Sequence, residues 1–167
     1  FSYPKSENIS FFHNPIDAKK FREKTQSGKI SKVAIIGAGL IGCELVEAMV
    51  SLWGIDTYLI EKENRLLPKI MDNDFAPFIS KVFSNQNIKL ELSTKVDKIE
   101  TDNNGGFNIL LSNSRVIECN YIFICLGVVP NVELARTIGI NTGNYGGILV
   151  NEYLQTNIEN VYAARDC

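Results

Sequence analysis

The chain has 167 residues and a net charge of −2, with 45% hydrophobic and 22% charged side chains, the composition of a folded domain and not of a disordered one. That balance makes no electrostatic case for nucleic acid or an anionic membrane as partner, and no apolar run approaches the ~18 residues of a spanning helix. One histidine, His13, and four cysteines without a CxxC pair or metal-ligand spacing give zinc hydrolysis and Ser-His-Asp chemistry nothing to stand on, so no catalytic or metal-binding set is expected.

Residues 1–29 read as a lead-in. Phe11 and Phe12 give an extended piece, Asn14-Pro15 a turn, and Asp17 a cap for a short basic helix through Lys24 that Ser27-Gly28 breaks. Lys32–Ile36 is apolar and β-branched, a strand buried on both faces. Leu40 to Leu52 predicts a helix that buries Ile41, Leu45, Ala48 (with Met49) and Leu52, with Gly54 as its stop. Thr57–Ile60 is a second strand, completing a βαβ unit. Residues 72–86 predict another helix, with Phe75, Phe78, Ile79 and Phe83 as its buried stripe, and Lys89–Leu92 a third strand. Val96–Thr101, Phe107–Leu111 and Arg115–Cys119 are three further strands that form a meander, turning at Asn104-Gly105 and Ser112-Asn113. Tyr121–Cys125 is a further buried strand, and Ile148–Val150 and Val161–Ala163 close the chain.

The chemistry lies where the first strand meets its helix. Gly37, Ala38, Gly39, Leu40, Ile41 and Gly42 form the G-x-G-x-x-G dinucleotide fingerprint, and its place between strand and helix gives it physical meaning. The first glycine permits the tight turn, the second lets backbone approach a pyrophosphate, and the third lets helix and strand pack closely. Free N–H groups and the positive helix end then hold the phosphates. Glu61 follows Gly42 by nineteen positions at the tip of the second strand, where a carboxylate accepts both adenosine ribose hydroxyls and repels the extra phosphate of NADP. Lys62 and Arg65 stand close behind and offer a 2′-phosphate an alternative partner, so NAD(H) is favoured without being exclusive. The elements and the fingerprint together describe an α/β, Rossmann-like three-layer NAD(P)-binding domain, a parallel sheet plus an antiparallel β-meander.

Three other features have plainer readings. Glu44, placed in the first helical turn, complements the helix dipole or else touches the nicotinamide end of a ligand. Tyr58 and Lys62 have YxxxK spacing, but along a strand they do not share the helical face that such a catalytic pair needs. The cysteines read first as buried packing residues; Cys43 sits beside the phosphate turn, where a helix N-terminus can depress a thiol pKa, but it has no partner nearby in sequence. The acceptor motif Asn8-Ile-Ser10 has no secretory context, the N-terminus opens no signal or transit peptide, and free thiols fit a reducing, cytoplasmic setting.

The ordered set of motifs resembles the FAD-dependent pyridine nucleotide–disulfide oxidoreductase superfamily, in particular the branch holding NADH oxidases, coenzyme A disulfide reductases, rubredoxin reductases and the FAD/NAD part of nitrite reductases. The residues that carry the resemblance are Gly37–Gly42 with Glu44, Glu61 with Arg65-Leu-Leu-Pro68, Cys125-Leu-Gly127 with Pro130-Asn131, and Val161 through Cys167. It implies that residues 1–29 lead in from an FAD domain, 30–149 bind NAD(H), and 150–167 return toward the FAD domain. It also implies that Glu44 meets the nicotinamide side, that Gly127 lets its loop approach the dinucleotide, and that Asp166 binds the FAD ribityl chain. The chain departs from the pattern at Arg165, where the family usually has glycine, and at Leu40, which replaces a frequent aromatic. It carries no FAD fingerprint, upstream active-site cysteines or dimerisation domain of its own.

The resemblance implies an oxidoreductase in which NADH binds here and hydride passes to flavin, then to a disulfide, oxygen or a redox protein. By itself the chain is expected to bind NADH without turnover. The rival is a stand-alone NAD(H)-sensing module without flavin. Lead-in and tail discriminate: as FAD-domain crossings they are expected to be poorly packed, and in a stand-alone module to close on the core.

Overall fold

A computed structural model describes residues 1–165 and 167. It divides into two compact units, Phe1–Leu126 and Gly127–Cys167. Among the described residues, no helix is long and apolar enough to cross a membrane.

The first unit holds strands β1 (Ile9–Ser10), β2 (Lys32–Ile36), β3 (Asp56–Ile60) and β4 (Lys89–Glu91), with helices α1 (Pro15–Gln26), α2 (Leu40–Trp53) and α3 (Ala76–Asn85) between them. The meander β5 (Val96–Thr101), β6 (Phe107–Leu111) and β7 (Val116–Cys119) precedes β8 (Tyr121–Ile124). A five-stranded sheet runs β1-β8-β2-β3-β4, parallel at every pairing, and the meander is a separate antiparallel sheet.

Strand periodicity explains the layering. Side chains alternate faces along a strand. Val33, Ile35, Leu59, Tyr121 and Phe123 pack with Phe21 of α1, Leu45, Val46 and Met49 of α2, and Phe83 of α3. The intervening Ala34, Ile36, Ile60, Ile122 and Ile124 pack with Ile99, Phe107, Ile109, Leu111 and Ile117 of the meander. The central strands are therefore apolar on both faces because each face has its own layer: helices on one side, meander on the other. The expected three-layer α/β arrangement is the one observed.

Several local details differ from the sequence expectation. Asn14, not Asp17, caps α1, accepting from the Ile16 and Asp17 amides, while Pro15 takes the first helical position, where its missing N–H is harmless. The buried stripe of α2 runs through Gly42, Leu45, Val46 and Met49, leaving Ile41 and Leu52 exposed. The glycine draws the helix in backbone first, which rotates the buried face by one residue. Helix α3 spans Ala76–Asn85 and buries Ala76 and Phe83; Phe75 precedes it and Phe78 stands about 140° round the helix from Phe83 at 3.6 residues per turn, and the two are 65% and 67% exposed.

The lead-in closes on this core. Ile9–Ser10 pairs with Ile122–Phe123, and the Phe21 ring meets Tyr121 and Phe123 at 5.1 and 5.0 Å between centroids. Such packing is what a stand-alone module requires of its lead-in.

The second unit, taken by itself, contains a short helix α4 (Glu133–Thr137) that the sequence did not announce. In place of closing strands it has two single bridges, Thr142 with Ile148 and Gln155 with Tyr162. Arg165 has φ 71°, a left-handed conformation that glycine enters freely. The usual family glycine at that position thus has a backbone reason.

Candidate dinucleotide-binding site

Strand β2 delivers the chain to a turn that requires glycine at positions 37 and 42. Gly37 has φ 105°, and a Cβ on it would lie 2.3 Å from the Cys125 carbonyl oxygen. Its amide donates to the Ile60 carbonyl at 2.8 Å, and the Cys125 amide donates to the Ile36 carbonyl at 2.7 Å. The turn is thereby sewn to the ends of β3 and β8. A Cβ on Gly42 would lie 1.9 Å from the Gly37 carbonyl oxygen, so the third glycine lets α2 seat directly on the turn.

Gly39 differs from both. It is the N-cap of α2 at φ −78°, and a Cβ there would meet nothing within 4 Å. No side chain caps the helix. The first-turn amides have no intrahelical acceptors and emerge at the positive end of a fourteen-residue helix, beside space that the absent side chain leaves open. This is a cradle suited to an anion that approaches backbone closely.

The acid comes from the adjacent strand. Glu61 is 8% exposed, and its two carboxylate oxygens accept separate backbone hydrogen bonds: from the Ala38 amide at 2.8 Å and from the Glu63 amide at 3.0 Å. The Ala38 carbonyl in turn accepts from the Leu67 amide at 2.8 Å. Glycine turn and acid-bearing loop are consequently one hydrogen-bonded unit, and each carboxylate oxygen keeps a lone pair for a further donor.

The remaining candidates fall around this unit or away from it. Leu40 and Ile41 open α2 with exposed side chains. Glu44 is exposed on the same helix but in its second turn, because the helix starts at Leu40. Lys62 is exposed and lies 3.6 Å from the Glu63 carboxylate. Tyr58 stands on β3, its ring under the Lys89 ammonium at 4.7 Å, so it forms no helical pair with Lys62. Gly127 opens the second unit at φ 104° with nothing within 4 Å of a built Cβ. Asp166 lies outside the described residues.

Cys43 follows the packing reading. Burial, then the Glu61 and Glu44 carboxylates, push its thiol up to about 11, overriding the helix end. Its Sγ points at the Ala38 carbonyl 3.6 Å away, and it is a packing residue.

A parallel sheet of this order, with the glycine turn and acid on neighbouring strand ends, defines a Rossmann-type nucleotide fold. The pyridine nucleotide-disulphide oxidoreductase family matches residues 2–167, and the chain belongs to it. Rubredoxin-NAD(+) reductase of Acinetobacter baylyi is 32% identical over 97% of this chain and 41% of its own length. The NAD(P)H sulfur oxidoreductase (CoA-dependent) of Pyrococcus furiosus is 34% identical over 91% of this chain and 34% of its own. A NAD-dependent persulfide reductase from A. fulgidus superposes with a TM-score of 0.90, at 28% identity, over 98% of this chain and 30% of that one. The chain thus spans only about two-fifths or less of the curated relatives it matches. Since the family match includes residues 2–29, a closely packed lead-in does not separate the two readings of the sequence.

Proposed function

We propose that the chain is the NAD(H)-binding portion of an FAD-dependent oxidoreductase. The observation that carries this reading is the buried Glu61 carboxylate, bonded to the Ala38 amide beside the open face of Gly39. The first-turn amides of α2 and the turn Gly37–Gly42 would hold a diphosphate, and Glu61 the hydroxyls of the adjacent ribose. Leu40 and Ile41 would flank it, Glu44 would face the nicotinamide side, and Lys62 the rim of the adenosine side. Gly127 and Asp166 keep the roles that the resemblance implies, the latter toward FAD.

The two cofactors supply the hydride chemistry, passing electrons from NADH to flavin and on to a disulfide, oxygen or a redox protein. The protein's own contribution is placement. Its residues orient the dinucleotide, and none is assigned as acid, base or nucleophile. Further support comes from the names of the relatives, among them NADH oxidases and a persulfide reductase, and from a water-forming NADH oxidase from Lactobacillus brevis bound to NADH, which superposes with a TM-score of 0.83 at 25% identity over 93% of this chain and 34% of that one.

Calorimetric titration with NADH tests the proposal. Saturable binding that weakens about tenfold in Glu61→Ala supports it. No NADH affinity, or affinity indifferent to Glu61, overturns it.

A further inference from the structure

The Arg65 side chain is folded back on its own loop. Its Nη2 donates to the Pro68 carbonyl at 2.9 Å and its Nη1 donates to Asn73 Oδ1. The guanidinium borders a cavity of about 400 Å³ with Asn64, Asn73 and Ser80. Its loop touches the candidate site on both sides of it: the Glu63 amide binds the Glu61 carboxylate at 3.0 Å, and the Leu67 amide binds the Ala38 carbonyl at 2.8 Å. An arginine four residues after the ribose-binding acid is thus present beside the site with both terminal nitrogens engaged elsewhere.

We infer that Asn73 is a positioning residue for dinucleotide choice: by accepting from Arg65 it holds the guanidinium off the ribose side of Glu61 and denies a 2′-phosphate its counter-charge. The inference rests on the proposed NAD(H) site. A guanidinium is always charged and pairs with phosphate through two parallel N–H donors. With Nη1 on Asn73 and Nη2 on Pro68 the guanidinium is tied to its own loop; its Nε–H is buried without a protein partner, so what withholds it from a phosphate is where it is held and not a full set of hydrogen bonds. Of the other two cations of the loop, Lys62 lies beside the Glu63 carboxylate, which offsets its charge, and Lys69 is exposed beyond Pro68. Selectivity for NADH then has two parts: repulsion by Glu61, and an arginine kept out of reach.

The experiment is a set of NADH and NADPH titrations on the intact protein and four variants, with thermal unfolding as the folding control. Asn73→Ala should raise the NADPH-to-NADH affinity ratio about tenfold. Asn73→Asp, which keeps the acceptor, should leave the ratio at the wild-type value. Arg65→Ala alone should not move it, and adding Arg65→Ala to Asn73→Ala should abolish the gain. An unchanged ratio in Asn73→Ala, with NADH still bound, overturns the inference and leaves the site intact. A ratio that falls in Arg65→Ala alone also overturns it, since the arginine would then already serve NADPH. That arm needs no folded Asn73 variant. Wild-type protein that binds neither dinucleotide overturns the site and the inference together.

Discussion

The carboxylate of Glu61 accepts the Ala38 amide at 2.8 Å, joining the tip of β3 to the middle of the glycine turn. An acid expected only to meet a ligand therefore also holds the loop that would cradle it. Glu61→Ala removes the acceptor of both the Ala38 and Glu63 amides. Each buried donor left unpaired costs about 1–3 kcal/mol. The variant should lose about 2–4 kcal/mol of stability in denaturant unfolding, apart from any loss of NADH affinity. Glu61→Gln, which keeps one acceptor oxygen, should lose less on both measures.

The three glycines of the turn should respond differently to the same methyl group. Gly42→Ala places a Cβ 1.9 Å from the Gly37 carbonyl oxygen, so α2 must move, and overpacking of this kind costs about 1–3 kcal/mol. Gly37→Ala meets the Cys125 carbonyl at 2.3 Å and a strained φ of 105° as well. At Gly39 there is no neighbour within 4 Å, and exchanging one uncharged N-cap for a poorer one costs about 1 kcal/mol or less. Gly39→Ala should accordingly fold nearly as well as wild type yet lose NADH affinity, because its methyl fills the space proposed for the diphosphate. Unfolding curves and titrations on the three variants check this order.

Where period and punctuation are local, the sequence was readable. The two-residue alternation of β6 and β7, the β-branched run of β2, Gly54 ending α2 at φ 62°, and the glycine turn itself all rest on steric preferences within a few residues. What escaped depends on partners far along the chain. The face that α2 buries is set by Gly42 meeting Gly37, which an apolar count that favours Ile41 does not register. In α3 the face that carries Ala76 and Phe83 meets the core, and Phe78, inside the same helix, points away from it. Asn14-Pro15 has the letters of both a turn and a helix start, and the twelve-residue helix behind it decides for the latter. At the site, the glycines and Glu61 were legible as a set. The back-folding of Arg65 was not, since Asn73 follows it by eight residues across an irregular loop.

Arg165 offers a test of backbone strain. It is exposed, with φ 71°. A left-handed residue other than glycine costs roughly 1–2 kcal/mol, and a new glycine gives back part of that through the freedom it adds to the unfolded chain. Arg165→Gly should raise stability by about 0.5–1 kcal/mol, read as a higher denaturation midpoint with an unchanged slope. A lower midpoint would mean that the arginine side chain makes contacts that outweigh its backbone.

The buried thiols set the alkaline limit of the fold. Burial pushes Cys43 and Cys125 up to about 11 and Cys119 up to about 12, against 9.0 for an ordinary thiol. In each case the folded state keeps a proton that the unfolded chain releases, so the stabilisation is complete below pH 9 and is lost as pH rises toward 11 and 12. Tyr121, raised by burial, and Lys89, raised chiefly by its hydrogen bond to Asp56, act with the same sign. Denaturant midpoints should therefore fall steadily above pH 9, and the fall should be shallower in Cys119→Ala and Cys43→Ala than in wild type. A thiolate-selective disulfide reagent at pH 8 should label Cys43 and Cys119 slowly in the folded protein and quickly once it is unfolded. Rapid labelling of Cys43 in the folded state would show a thiolate at the glycine turn, and the packing role assigned to it would fail.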